Sequence, residues 1–425
     1  MGDVIERSQA RRPCLYQQGS FQWWFGIRRR RVRLQLIEIT MQPLPARSPL
    51  VRRLSQTVAM LPVYHGSALA DAPPTFTEVG LRYTQYAEDT LSDKAVLFGS
   101  KDRYDINITQ LWIEAPVGAS WSVALDVQND YQTGASPWFV GATADGSPGV
   151  IMSGASIQDN RVEVGVTTRY FWADGNAGFN IIHSDEDDYE AVAWSMDAAW
   201  NTNRNTTTWS ASASSSHDTV EPTQEKIPVF IDKEKLDTHS LYFGVSQILS
   251  RTAVVKVGLS YTYSEGFLSD PYKLRDTRPT EHHRYTLATG LRQHFISLGG
   301  SLHADYRFYS DDWGSQSHTL SLGWVQQMEH QAVNPYVRYY SQGQADFFSS
   351  IADFTADHYS DDYRLSSFGA ITAGLRWTIA LGDWTAEAQL ERYVSDHSWS
   401  TFSGQAAPAL VDFWRGTIGI SWRFD

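Results

Sequence analysis

Apolar and polar residues alternate with a period of two over much of this chain. Trp121, Val123, Leu125 and Val127 interleave with Ser122, Ala124, Asp126 and Gln128, and Val162, Val164 and Val166 interleave with Glu163, Gly165 and Thr167. Val255, Val257, Leu259, Tyr261 and Tyr263 repeat the pattern against Lys256, Gly258, Ser260 and Thr262. Successive side chains of a strand point to opposite faces, so each segment predicts a strand with one apolar face. About sixteen strands are predicted, at 76–88, 102–114, 119–130, 161–171, 176–184, 189–201, 206–216, 239–249, 252–265, 282–293, 296–310, 315–327, 333–346, 364–380, 382–395 and 411–424. Most are longer than the ordinary globular strand of about 5–6 residues and match the roughly 9–11 that a tilted strand needs to cross a bilayer.

The connections alternate in length. Those around Pro116, Gly175, Arg204, Arg251, Phe295, His330 and Gly382 are tight, whereas 131–160, 217–238, 266–281, 347–363 and 396–410 are long and polar. A soluble sandwich has no reason to keep that parity; an outer-membrane barrel has short periplasmic turns and long extracellular loops. The fold class expected is all-β, a transmembrane antiparallel β-barrel of about sixteen strands with both ends periplasmic. Trp112 and Trp121, Trp200 and Trp209, and Trp377 and Trp384 flank three of the short turns, and Trp422 and Phe424 end the last strand. Indole rings settle at headgroup level, so these are expected to form an interfacial girdle on one rim.

Composition and charge narrow the compartment. Aromatic residues make up 13% of the 425 residues, yet mean hydropathy is −0.36, and no run of about 18 apolar residues could cross a membrane as a helix. Residues 1–70 hold eleven Arg, no Lys and three acids (Asp3, Glu6, Glu38), a net of about +8; the whole chain is −13, so the remainder carries about −21. The sole cysteine, Cys14, also lies in this leader. From Met41, Arg47, Arg52 and Arg53 form a basic region, Leu54 to Tyr64 an apolar one interrupted by Pro62, and Ala68-Leu69-Ala70 a cleavage site, so 41–70 is expected to be a signal peptide. Residues 1–40 fit no export signal and are expected to be a mistranslated, non-structural extension, leaving 71–425 as a single barrel domain in the outer membrane of a Gram-negative cell. An acidic mature chain argues against nucleic acid, which needs a basic face.

Sorting polar residues by face gives the candidate chemistry. With Ile296, Leu298, Leu302, Ala304, Tyr306 and Phe308 toward lipid, Ser301, His303, Asp305, Arg307 and Tyr309 turn inward. By the same parity Arg338, Tyr340, Gln342, Arg376, Glu387, Gln389, Glu391, Arg415 and Arg423 line the lumen. A sixteen-strand barrel is wide enough for water, so such charges either select solutes at a constriction or pair across the wall and brace it. In the last strand Trp414, Ile418, Ile420, Trp422 and Phe424 face lipid, and Gly419-x-x-Trp422-x-Phe424 is similar to the C-terminal signal by which barrels meet their assembly machinery; Asp425 after the aromatic departs from the usual ending. Asp311, Asp312, His318 and His358 fall in or near outer loops, where a histidine among acids could act as a base or ligand. His282-His283 and the acidic run Asp185–Asp188 are expected to be solvated loop residues or a weak divalent-cation site beside lipopolysaccharide phosphates. No serine-nucleophile, zinc, P-loop, Rossmann or CxxC signature is present, so no catalytic residue, cofactor or resident metal is expected.

Several segments resemble the uncharacterised bacterial DUF3570 family. They are Asn129-Asp130 with Gly134-Ala135-Ser136-Pro137, the loop Ser264-Glu265-Gly266-Phe267-Leu268-Ser269-Asp270-Pro271-Tyr272-Lys273, Arg278-Pro279, and Tyr306-Arg307-Phe308-Tyr309 leading to Trp313-Gly314 and His318-Thr319. Arg338-Tyr339-Tyr340-Ser341-Gln342 with Ala345-Asp346-Phe347, Arg364-Leu365-Ser366 with Phe368-Gly369-Ala370, and Glu391-Arg392-Tyr393 complete the likeness, which spans 75–425. The resemblance implies an outer-membrane barrel and no settled activity. It also implies a link to an envelope redox system, whose chemistry a partner would carry. The function expected is a porin-like conduit for small solutes. The alternative is a non-conducting anchor for a periplasmic redox or lipoprotein partner, and a third reading is an outer-membrane hydrolase that would depend on His318. Outer-membrane lipid and lipopolysaccharide are the expected surroundings.

Overall fold

The structure is a computed structural model that describes residues 73–153, 157–222, 233–351 and 355–425. The expected signal peptide and extension lie outside the described residues. Nineteen strands follow in chain order: β1 (Thr77–Glu88), β2 (Val96–Phe98), β3 (Asp105–Val117), β4 (Trp121–Gly134), β5 (Pro137–Ala142), β6 (Pro148–Met152), β7 (Ile157–Trp172), β8 (Gly175–Glu186), β9 (Tyr189–Thr202), β10 (Thr207–Val220), β11 (Glu234–Ser250), β12 (Ala253–Gly266), β13 (Glu281–Phe295), β14 (Gly300–Asp311), β15 (Gln316–Gln327), β16 (Gln331–Gln342), β17 (Phe368–Leu381), β18 (Trp384–Asp396) and β19 (Phe413–Phe424). Sixteen of them close into one antiparallel barrel, in which β4 pairs with β7 and the first strand pairs with the last, Thr77 opposite Phe424 through Glu88 opposite Phe413. The remaining three, β2, β6 and β5, form a small separate sheet.

Alternation decides the faces. Leu81, Leu111, Leu125, Val164, Ile181, Met196, Leu241, Leu259, Leu322, Leu375 and Ile418 are all exposed on the outside of the barrel, with Leu241 at 59% and Ile418 at 62%. Water would penalise such a surface at about 25 cal/mol per Å², so the band must face hydrocarbon. Its strands are hydrogen-bonded to one another all the way round a closed sheet, the condition for crossing a membrane with strands. Among the described residues no helix is long and apolar enough to cross one.

The two rims differ. One carries tight turns, such as Gly382, whose φ of +67° suits a residue without Cβ, and Asn203-Arg204-Asn205, which adopt φ of 51°, 57° and 63°. The other carries the long connections, although those between β8 and β9 and between β14 and β15 are as short as turns. Trp121, Trp377, Trp384 and Trp422 face outward beside the short turns, with Trp384 stacked on Trp422 at 5.6 Å. Trp112 departs from the expected girdle. It lies on the inward face, across Gly80, where a Cβ would stand 1.9 Å from the indole, and under the Arg82 guanidinium at 5.2 Å. Ile296–Leu298, expected to open a strand, instead form a 3-10 turn closed by Gly299.

The hydrophobic core lies at the long-loop rim. Val140, Val150 and Met152 from the small sheet pack with Leu268, Phe348, Tyr363, Val411 and the strand ends Tyr86, Tyr393 and Phe413. Tyr86 and Tyr393 each meet the Phe413 ring at 4.6 Å. The described parts of the long loops therefore fold into a packed cap.

Candidate functional site

Two hydrogen-bonded polar chains line the inner wall from β4 round to β16. Arg82 on β1 donates from Nε to Glu387 Oε1 on β18 at 2.7 Å and from Nη1 to Gln110 Oε1 on β3 at 3.0 Å, and Gln110 reaches Asp126 on β4 at 3.1 Å. Arg376 on β17 donates to Gln389 Oε1 at 2.8 Å, Gln389 Nε2 to Tyr336 Oη at 2.8 Å, and Tyr336 to Glu391, which also binds Arg415 on β19. Period-two parity puts these groups on one face of neighbouring strands, where cross-strand pairs meet.

Diametrically across the barrel, β10, β11 and β12 turn inward Ser210, Ser212, Ser214, Ser216, Thr238, Ser240, Thr262 and Ser264. Their hydroxyls pair with one another, Ser240 to Thr262 and Thr238 to Ser264, both at 2.9 Å. The lumen therefore has a charged wall and, facing it, a wall of mostly small hydroxyl side chains that also carries Tyr242 and Lys256.

The other expected lumen residues divide by height and strand. Asp305 on β14 binds Arg292 on β13 at 2.8 Å, His303 is buried on the same strand, and Arg307 lies 5.9 Å from the Tyr309 ring. Arg338 donates from Nε to Ser321 Oγ at 3.1 Å, while Arg423 pairs with Glu78 at 2.7 Å near the short-turn rim. Tyr309 and Gln342 belong to the cap end: Tyr309 donates to Asp311, and Gln342 Nε2 donates to the carbonyls of Arg364 and Ser366 at 2.7 and 2.6 Å. Tyr340 bonds Gln342 beneath Phe368.

The cap encloses a second charged cluster. The family segment at 269–273 enters it. Ser269 Oγ accepts from the Arg278 amide at 3.0 Å, Asp270 Oδ1 accepts from the Tyr272 amide after Pro271, and Lys273 Nζ binds Asp361 at 2.8 Å. Arg278 pairs with Asp276 at 2.6 Å and Asp362 at 2.9 Å; Arg364 pairs with Asp362 and lies 3.6 Å from Asp270. All of these side chains are buried, as is the Arg103–Glu88 pair, at 1% and 0% exposure.

Burial raises the Asp276 carboxyl to about 6 even beside Arg278. Burial acts in the same direction on Asp362, but the Arg364 and Arg278 guanidiniums overcome it and hold that carboxyl well below the usual range. Sequence reasoning missed this cluster. Its local signals are Asp270-x-x-Lys273, Asp276-x-Arg278 and Asp361-Asp362-x-Arg364, cations and acids interleaved within loops.

Several expectations about outer-rim histidines and acids are corrected. His282 is no solvated loop residue: it lies in β13, buried, stacked at 3.7 Å on Trp313 and bonded to Asp311 at 3.1 Å. His283 and His318 face outward, each ring Nδ1 2.8 Å from a tyrosine hydroxyl, those of Tyr261 and Tyr306. His318 therefore stands apart from Asp311, on the lipid side of the wall. Of the acidic run, Asp185 is exposed, whereas Asp188 is buried and accepts from Tyr272; Glu186 and Asp188 approach Asp159 to within 4.8 Å. His358 is exposed.

Solved structures similar to this chain include the siderophore receptor PirA from Pseudomonas aeruginosa, 11% identical over 82% of this chain and 62% of that one, with a TM-score of 0.41. CdiB from Acinetobacter baumannii is 8% identical over 82% and 60%, with a TM-score of 0.46. A BenF-like porin from Pseudomonas fluorescens Pf-5 is 9% identical over 84% and 100%, with a TM-score of 0.42. The chain thus spans less than two thirds of the first two proteins. No curated protein matches it. The closed cylinder with an apolar outer band identifies an outer-membrane barrel on physical grounds. Residues 59–411, most of the chain, match the family described as "Protein of unknown function (DUF3570)", and the chain belongs to that family.

Proposed function

We propose that the protein is a conduit for small polar solutes across the outer membrane of a Gram-negative cell. The observation that carries this reading is the asymmetric lumen, with the polar chains Asp126–Gln110–Arg82–Glu387 and Arg376–Gln389–Tyr336–Glu391–Arg415 on one wall and the serine- and threonine-rich wall of β10–β12 facing it. Charged and hydroxyl groups on opposite sides of a water-wide barrel orient a passing dipole and discriminate by charge. Arg307 and Arg338 supply positive charge on β14 and β16. The test is planar-bilayer recording on the refolded mature chain. Open steps of porin size are expected, and Arg307→Glu and Arg338→Glu are expected to move the reversal potential toward cation preference. Silence from protein shown to be folded removes the conduit reading.

The buried cap favours a second reading, in which the barrel is an anchor for a periplasmic redox or lipoprotein partner and conducts nothing. Recognition by the barrel-assembly machinery through Gly419, Trp422 and Phe424 is compatible with both. Co-purification of a periplasmic protein with a silent barrel would select the anchor.

A further inference from the structure

Two polar groups at the long-loop end of β13 are not absorbed by the polar chains of the lumen wall or by the cap cluster. The first is His282. Its partner Asp311, the last residue of β14, accepts from Tyr309 Oη at 2.7 Å and from the Trp313 and Ser315 amides at 3.1 and 2.8 Å, and its Oδ2 lies 3.1 Å from His282 Nε2. Three donors on the group make it a carboxylate, so the ring supplies the proton of the fourth bond. Nε2 carries that proton and Nδ1 keeps its lone pair, a tautomer assigned by the network. Trp313, stacked at 3.7 Å and 8° from parallel, donates from Nε1 to the Glu281 carbonyl at 3.0 Å and holds the imidazole in this orientation. Nδ1 has no hydrogen-bond partner among the described residues.

The second is Arg284, two residues on and on the same inward face. It gives one hydrogen bond, from Nη2 to Ser264 Oγ at 2.5 Å, and forms no ion pair among the described residues. Nε is sealed off and unpartnered, whereas Nη1, equally without a hydrogen-bond partner, is not sealed. Arg82, Arg169, Arg292, Arg415 and Arg423, inward on other strands, each hold a carboxylate. A guanidinium shielded from bulk water without one is a place for an anion from outside. The two residues stand about 7 Å apart along the strand, a gap that one oxyanion with a hydrogen bond of about 2.8 Å on each side closes.

We propose that Arg284 and His282 form a binding site for inorganic phosphate at the long-loop end of the lumen. The guanidinium takes a charged oxygen, and Nδ1 accepts the O–H that phosphate still carries at neutral pH. Sulfate has a similar shape and no proton to give, so its oxygen meets a lone pair and is rejected. Asp311 is a positioning residue: it acts on the anion only by setting which ring nitrogen is the acceptor. The inference rests on the conduit reading only in making phosphate the solute that passes; binding stands without passage.

Isothermal titration calorimetry of the detergent-purified protein with sodium phosphate and with sodium sulfate tests it at about pH 8, above the ordinary imidazole pKa of about 6.5, where both anions are chiefly dianions. Phosphate is expected to bind at least tenfold more tightly than sulfate. Arg284→Gln is expected to remove binding of both. Asp311→Asn is expected to reverse the preference toward sulfate, because the new amide donates to Nε2 and the ring proton moves to Nδ1; a bracing role alone would change both anions alike. Arg392→Gln, on the outer face of β18, is expected to keep the parent values. Heat-dependent gel mobility reports that each variant is folded. Equal binding of the two anions by the parent chain overturns the proposal, as does an unchanged phosphate preference in Asp311→Asn. Phosphate binding by a barrel that is silent in bilayers keeps the site and removes the conduit, while an open channel that binds no phosphate does the opposite.

Discussion

Asp362 is the carboxylate on which the cap's cations converge. It accepts from Arg278 and from both the side chain and the backbone N–H of Arg364, bridging two loops about 84 residues apart in sequence. Removing one partner of a buried ion cluster leaves uncompensated charge, at a cost of about 3–5 kcal/mol. Asp362→Asn is therefore expected to loosen the cap while the barrel persists, seen as new protease cleavage within 343–367 with unchanged far-ultraviolet circular dichroism. Asp276 gives the cap a pH dependence. Its carboxyl is raised from 3.8 to about 6, so its stabilising contribution is full below pH 3.8 and is lost as pH rises through about 6. Asp362 has the opposite sign, present above 3.8 and lost only as pH falls toward its depressed value. Between pH 4.5 and 7.5 Asp276 contributes with this sign, and its share of cap protection from protease is expected to weaken on going up. Asp276→Asn is expected to flatten that slope; an unchanged slope would exclude this carboxyl.

At the level of the strand, Pro335 marks a gap. The β15–β16 ladder pairs Gly323 with Tyr336 and resumes at Gln326 with Val333, leaving Trp324 and Val325 out of the register pairs opposite Asn334 and Pro335. Proline has no N–H to give a ladder. Of the amides at Trp324 and Val325, the one directed at β16 is expected to exchange with deuterium at least tenfold faster than the other, which β14 still faces in register. A lipid-facing charge tests the wall itself. Ile418→Arg, midway along β19, is expected to cost about 2–4 kcal/mol in refolding into vesicles. The strands were legible because alternation is local: all sixteen barrel strands overlap segments marked by a two-residue period, even where β11 begins at Glu234 rather than 239. The face of Arg415 or Glu387 followed from the same parity. Trp112 was misplaced because its aromatic character outweighed parity, and only the neighbouring Gly80 shows why an indole fits inside. The cap pairs Lys273 with Asp361 between loops that carry no periodic pattern, so no sequence spacing announces that contact.

For the molecule as a whole, the apolar band demands a non-aqueous neighbour on every side. The purified barrel, residues 71–425, is expected to be monodisperse only with detergent and to run faster on denaturing gels before boiling than after it. Monodisperse behaviour in plain buffer would dismantle the membrane assignment and the sorting of faces with it. The cylinder is closed by its two ends in sequence: β1 lies against β19, and Arg82 with Glu387 and Arg423 with Glu78 tie residues more than 300 positions apart. A polypeptide exported from its N-terminus onward cannot make that join until the final strand arrives. Throughout delivery the edge of β1 is an open template for foreign strands. The longer the transit, the longer that edge stays unpaired, so slowed secretion is expected to raise the load on periplasmic chaperones.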